Sequence, residues 1–258
     1  MKKFYLMAAL AVATLAANAQ EKLYLSTYNG TNLEKYDGNV CNITVNRYMF
    51  TGWNTIALPF EVSEQELNET FGSDCRLERL VGVENVAGGV QLCFQDCKAQ
   101  GIQPNVPYIL YYNGETANKK LVKEARVTKG TAALNFNTKN GETVTMATTN
   151  EKIAGVGFYG VLARDNQEAK FVKVDASLNG FLPTRCYIQL SNGNDTKLFT
   201  RHLAAGEITG IDAIATNQQK VDVYNTAGVK VATGIRAAEV NNLQPGIYVV
   251  NGQKVMVK

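Results

Sequence analysis

The sequence predicts an all-β fold: an antiparallel β-sandwich carrying one short helix, followed by a small β-sandwich-like unit at the C-terminus. Three observations predict it. Asn-Gly occurs six times, at 29–30, 113–114, 140–141, 179–180, 192–193 and 251–252, and Asp37-Gly38 adds a related pair. Both central residues of a type I′ turn need positive φ, which Asn and Gly tolerate best, so Asn-Gly between apolar runs marks a hairpin. The flanking runs are short and β-rich, as in Tyr108-Ile109-Leu110-Tyr111-Tyr112 and Cys186-Tyr187-Ile188-Gln189-Leu190. Short strands between turn signals argue for a sandwich or barrel. Finally, one segment only stands out as a helix.

From the N-terminus, Lys2 and Lys3 precede an apolar run from Phe4 to Ala17, and Ala17-Asn18-Ala19 places small residues where a signal peptidase reads. That order is a secretory signal over residues 1–19, cleaved between Ala19 and Gln20. The run is too short for a bilayer, which needs about 20 residues. No Cys follows the cleavage site to carry a lipid. The expected mature chain is 258 − 19 = 239 residues with no membrane span. A strand over 53–60 then leads into Val62-Ser63-Glu64-Gln65-Glu66-Leu67, a capping box in which Ser63 and Glu66 satisfy each other's amides. The helix is expected over 64–71, stopped by Gly72.

The predicted main domain spans 20–205, a small-residue linker 206–214, and the C-terminal unit 215–258. Val221 to Tyr224 is a strand, Asn225-Thr226-Ala227-Gly228 turns it, and Val229 to Val231 returns. Ile247–Val250 and Gln253–Val257 form a hairpin across Asn251-Gly252.

Charge and cysteine content narrow the function classes. There are 26 Lys and Arg against 23 Asp and Glu, a formal +3. Removing Lys2 and Lys3 leaves +1, with no clustered basic face for nucleic acid. The five cysteines, Cys41, Cys75, Cys93, Cys97 and Cys186, are odd in number. Cys93-x-x-x-Cys97 has no second pair for zinc. On one strand the two would lie about 13 Å apart, too far to bridge. Buried thiols are expected in place of disulfides.

Two stretches resemble known families. The C-terminal run Val221-Asp222-Val223-Tyr224-Asn225-Thr226-Ala227-Gly228, then Leu243-Gln244-Pro245-Gly246-Ile247-Tyr248-Val249, then Lys254-Val255-Met256-Val257-Lys258, resembles the C-terminal sorting domain of type IX secretion substrates in Gram-negative bacteria. The resemblance covers about a sixth of the chain. It implies a small β-sandwich read by an outer-membrane translocon, with Pro245, Gly246, Ile247, Tyr248, Gly252, Lys254 and Lys258 as the sorting pattern. The middle, with Asn42-Ile43-Thr44-Val45-Asn46-Arg47, Trp53-Asn54-Thr55-Ile56-Ala57-Leu58-Pro59-Phe60 and Pro107-Tyr108-Ile109-Leu110, resembles a recurrent secreted surface β-domain of the same bacteria. That resemblance implies an extracellular module and carries over no catalytic residue.

No constellation specifies a reaction. Gly155-Val156-Gly157-Phe158-Tyr159-Gly160 spells the dinucleotide fingerprint, but the fingerprint needs a helix opening at the last Gly. The residues that follow read as strand and turn, so a closely packed Gly-rich strand is expected. His202, the only histidine, has no partner at readable spacing and is expected on the surface. Trp53 is expected in the core. Tyr108 and Tyr112 share a strand face, and form either a half-buried sheet face or a ligand platform for a glycan or host protein. The expectation is an exported, cell-surface or secreted, non-enzymatic β-protein for adhesion, surface structure or ligand binding. It needs no cofactor or metal, and its C-terminal unit meets the secretion translocon. The alternative is a secreted carbohydrate-active or carbohydrate-binding accessory protein.

Overall fold

The computed structural model describes residues 21–26, 31–149, 151–155, 157–162, 169–175, 181–192, 195–203, 220–236, 240, 243–250 and 253–257. The predicted signal with Ala17, Ala19 and Gln20, the linker 206–214, and Gly252 and Lys258 lie outside them.

The fold is all-β and sandwich-like, as the turn signals predict, with three stacked layers in the main body. The first layer joins β1 (Lys22–Ser26), β2 (Val40–Met49) and β7 (Ala117–Arg126) in the order β1-β2-β7. The middle layer joins β3 (Gly52–Ile56), β4 (Arg76–Val86), β5 (Gly89–Asp96), β6 (Tyr108–Tyr112) and β13 (Lys197–Leu203) in the order β13-β5-β4-β6-β3. The third joins β8 (Ala133–Asn137), β9 (Thr143–Thr149), β10 (Tyr159–Leu162), β11 (Lys170–Lys173) and β12 (Arg185–Leu190) in the order β11-β10-β12-β9-β8. Two pairs depart from the antiparallel expectation: β1 runs parallel to β2, and β13 parallel to β5.

The middle layer is covered on both faces. Along β6 the side chains alternate between two cores: Tyr108, Leu110 and Tyr112 pack with Ile43, Val45 and Leu121 of the first layer. Ile109 and Tyr111 pack with Met146, Phe171 and Ile188 of the third. A continuous apolar run is what such a doubly buried strand requires. Each large side chain so buried contributes about 1.5–3 kcal/mol.

The helix α1 (Glu64–Phe71) forms as predicted. The Ser63 hydroxyl accepts from the Glu66 amide at 3.3 Å, and the Ser63 amide donates to Glu66 Oε2 at 2.8 Å. Leu67 and Phe71 face the first core, and Lys123 of β7 reaches Glu66 at 2.8 Å. The strand before it ends at Ile56, short of the predicted residue 60, where its pairing with β6 stops at Tyr108. The Ala57 amide donates to the Thr184 carbonyl at 3.1 Å, and the Cys186 amide to Thr55 Oγ1 at 3.1 Å.

Beyond residues 204–219, β14 (Lys220–Asn225), β15 (Lys230–Arg236), β16 (Gly246–Val250) and β17 (Gln253–Val257) form a sheet ordered β15-β14-β16-β17. It has its own core of Val223, Val240, Val250, Val255 and Val257. The turn after β14 is held by Asn225, whose Oδ1 accepts from the Ala227 and Val229 amides at 3.0 and 2.9 Å. Gly228, at φ 78°, supplies the left-handed residue the turn needs.

Candidate functional site

A groove of about 470 Å³ opens where the middle and third layers run out, between their edge strands β13 and β11. Its walls are tied together by three polar bonds. Tyr159 of β10 donates its hydroxyl to the Thr196 carbonyl at 2.8 Å, Thr200 donates to the Ala169 carbonyl at 2.7 Å, and Lys173 pairs with Asp195 at 2.5 Å. The Asp195 carboxylate holds the Lys173 ammonium above its usual range. Burial pushes the Tyr159 phenol up, so it stays a neutral donor. Phe171 forms the floor, stacked on Phe94 with ring centroids 5.9 Å apart.

The lining combines exposed apolar side chains with positive charge. Val172 is 38% and Phe199 39% exposed. Among the described lining residues Lys170, Lys173 and Lys197 face one carboxylate, Asp195. Lysines on edge strands also discourage pairing with other sheets. Here they surround a cavity within the size range of ligand sites, about 300–1,000 Å³.

This groove is not legible in the sequence, because its wall β13 reaches the middle layer by a parallel pairing that no turn signal announces. The one legible hint is Phe199, an aromatic flanked by the exposed Lys197 and Arg201.

His202 is not the free surface histidine its isolation in sequence suggested. Its side chain is 19% exposed, and Nδ1 lies 2.5 Å from Glu78 Oε2. The Ala169 amide donates to Nε2 at 3.4 Å, so Nδ1 carries the proton that Glu78 accepts. The ring stacks on Trp53, 4.6 Å between centroids, and Arg76 lies 4.7 Å from the Trp53 and Tyr111 rings. With both ring nitrogens engaged, His202 acts as a bolt between β13, β4 and the start of β11. Trp53 is buried, as its setting predicts.

Tyr108 and Tyr112 do not form a platform. They are 2% and 3% exposed, because the first layer covers the face they share. The Gly-rich segment opens no helix. Tyr159 and Gly160 begin β10, and a Cβ on Gly160 would come within 3.1 Å of the Phe181 ring, the close packing expected there. None of the five cysteines is in a disulfide. Of the sorting pattern, Pro245 and Gly246 lie at the turn into β16, Ile247 and Tyr248 in β16, and Lys254 in β17. The Tyr248 hydroxyl donates to the Gln244 carbonyl at 2.8 Å, bracing that turn.

Among the described residues no group of three or more His, Cys, Asp or Glu could hold a metal. No described helix is long and apolar enough to cross a membrane. Comparison with protein-family models, curated proteins and solved structures finds no match for this chain.

Proposed function

We propose that this chain is an exported, non-catalytic β-protein of the cell surface or extracellular space. Its C-terminal sheet serves as the address read by a secretion translocon, and its body binds an anionic ligand with an apolar part in the groove between β11 and β13. The observation that carries the address is the C-terminal sheet itself, which among the described residues shares no strand with the three layers and has a separate valine core. An element that is read by another machine and then removed must fold without borrowing strands from its cargo. The groove supports the binding arm, since its lysines and its exposed Val172 and Phe199 complement that ligand.

The carbohydrate-active alternative loses its support at two points. Tyr108 and Tyr112 offer no ring face to a sugar. Among the described residues the groove lining holds a single carboxylate, already paired with Lys173, where glycoside hydrolysis requires two.

Deleting residues 215–258 tests the address. Cell fractionation is expected to find the truncated protein folded and retained in the periplasm. Undiminished surface display would overturn the assignment.

A further inference from the structure

We infer that the ligand of the groove is a peptide: an extended segment of another protein, two apolar residues flanked by acidic ones, that adds as a further strand to the open edge of β13. The inference rests on the ligand-binding reading of the groove proposed above and names its ligand class. β13 forms one edge of the middle layer, and among the described residues only β5 pairs with it. Its Lys197 carbonyl lies so close to β5 that a Cβ on Gly89 would meet it. Successive residues of a strand turn their amides and carbonyls to opposite sides, so those of Leu198 and Thr200 face away from β5. The bonds that tie Ala169 to β13 run through side chains, from the Thr200 hydroxyl to the Ala169 carbonyl and from the Ala169 amide to His202 Nε2. Among the described residues no group of the third layer bonds the main chain of Leu198 or Thr200. Such an edge is a template for another chain.

The side chains along the edge set the sequence of the guest. Lys173 meets Asp195 at one end of the groove, and Ala169 meets Thr200 at the other, so β11 and β13 run in opposite directions. Lys197 therefore stands toward the first end and Lys170 toward the second, with Val172, Leu198 and Phe199 between them. Neither Lys170 nor Lys197 pairs with a carboxylate among the described residues. Lys197 and Thr200, the residue beside the Lys170 end, are three positions apart, about 10 Å along a strand. A guest strand thus carries two acidic residues three positions apart, with two apolar residues between them against Leu198, Phe199 and Val172. Opposite charges on neighbouring strands then attract, and like charges repel. A fatty acid or other amphiphile matches the charge and the apolar surface, but has no row of amides and carbonyls to meet the edge.

Calorimetric titration of the unaltered protein tests this with a blocked hexapeptide of sequence threonine-glutamate-valine-valine-glutamate-threonine, and with sodium decanoate as the ligand that has charge and chain but no amides. The peptide is expected to bind. Two further versions carry N-methyl groups on its odd or on its even amides. In an added strand only one of these sets faces β13, so one version is expected to bind roughly tenfold more weakly or worse, and the other within about twofold of the parent. Lys170→Glu with Lys197→Glu is expected to weaken the parent peptide by roughly tenfold. Equal losses from the two methylated sets, or unchanged affinity in the charge-reversed protein, would overturn strand addition. Binding of decanoate without the peptide would also overturn it while leaving the groove its anionic ligand. Binding of neither would bring down the groove reading as well.

Discussion

His202 and Glu78 join the middle layer to the rim of the groove: Nδ1 lies 2.5 Å from Oε2, and the carboxylate is almost wholly buried. Removing one partner leaves the other buried and unsatisfied, whereas removing both does not. Glu78→Leu is expected to lower stability by about 2–3 kcal/mol, and Glu78→Leu with His202→Phe to recover most of that loss. Chemical denaturation of the single and double variants measures the coupling. Simple additivity would show that the pair contributes nothing.

The groove depends on β13 lying close against β5. A Cβ on Gly89 would stand 2.1 Å from the Lys197 carbonyl oxygen, a backbone atom that cannot step aside. Gly89→Ala is therefore expected to push the strands apart at a cost of about 1–3 kcal/mol. The sole tryptophan, Trp53, reports the change, because its stacking partner His202 rides on β13. An unchanged emission spectrum and melting temperature would refute this.

Reversing two charges in the groove tests its preference for anions. Lys170→Glu with Lys197→Glu is expected to weaken binding of anilinonaphthalene sulfonate by at least tenfold, and to remove the salt dependence of what remains. Titration by fluorescence at low and high salt makes the comparison. Equal affinity in both proteins would place the ligand elsewhere.

The cap of α1 carries a pH dependence. Burial alone would raise the Glu66 carboxyl, but the Lys123 ammonium and the Ser63 amide and hydroxyl outweigh it and hold it below the usual range. A carboxyl lowered on folding adds stability that is fully present above its unfolded pKa of about 4.3 and is lost as pH falls through the lower folded value. Glu66→Gln is expected to flatten the stability profile in that acid window, and Ser63→Ala to cost about 1 kcal/mol at neutral pH. Melting curves from acid to neutral pH decide both.

Thiol chemistry offers a fifth check. Burial pushes the Cys97 and Cys186 thiols up to about 12, far from the reactive thiolate range. The native protein is expected to react slowly with alkylating reagents. The denatured, unreduced protein is expected to take up five adducts by mass, one for each cysteine outside a disulfide. Three adducts would reveal a disulfide.

Local signals were legible and layer assignments were not. Ser63, Glu66 and Gly72 fixed α1 because a capped helix is written within a few residues. Asn225 to Gly228 fixed the turn after β14 for the same reason. The Asn-Gly pairs misled where the neighbouring strand was already taken. At 140–141 the pair closes a hairpin between β8 and β9, and on either side of 251–252 β16 and β17 pair antiparallel. At 113–114 it only turns a corner, because β6 is flanked by β3 and β4 and the chain must leave for the first layer. The Tyr108 to Tyr112 run, apolar on both faces, was the sign of a doubly covered strand, and it argued against any exposed platform. The groove and the partners of His202 arise from contacts between distant segments, which spacing along the chain does not encode.

The parallel pairing of β13 with β5 also dictates an order of assembly. β5 ends at Asp96 and its partner begins only at Lys197, so the central sheet waits for nearly the whole body to emerge before its last edge is sealed. Distant closures of this kind make folding slow. On the export proposed above, such lateness would leave the chain an open string while it threads a membrane channel.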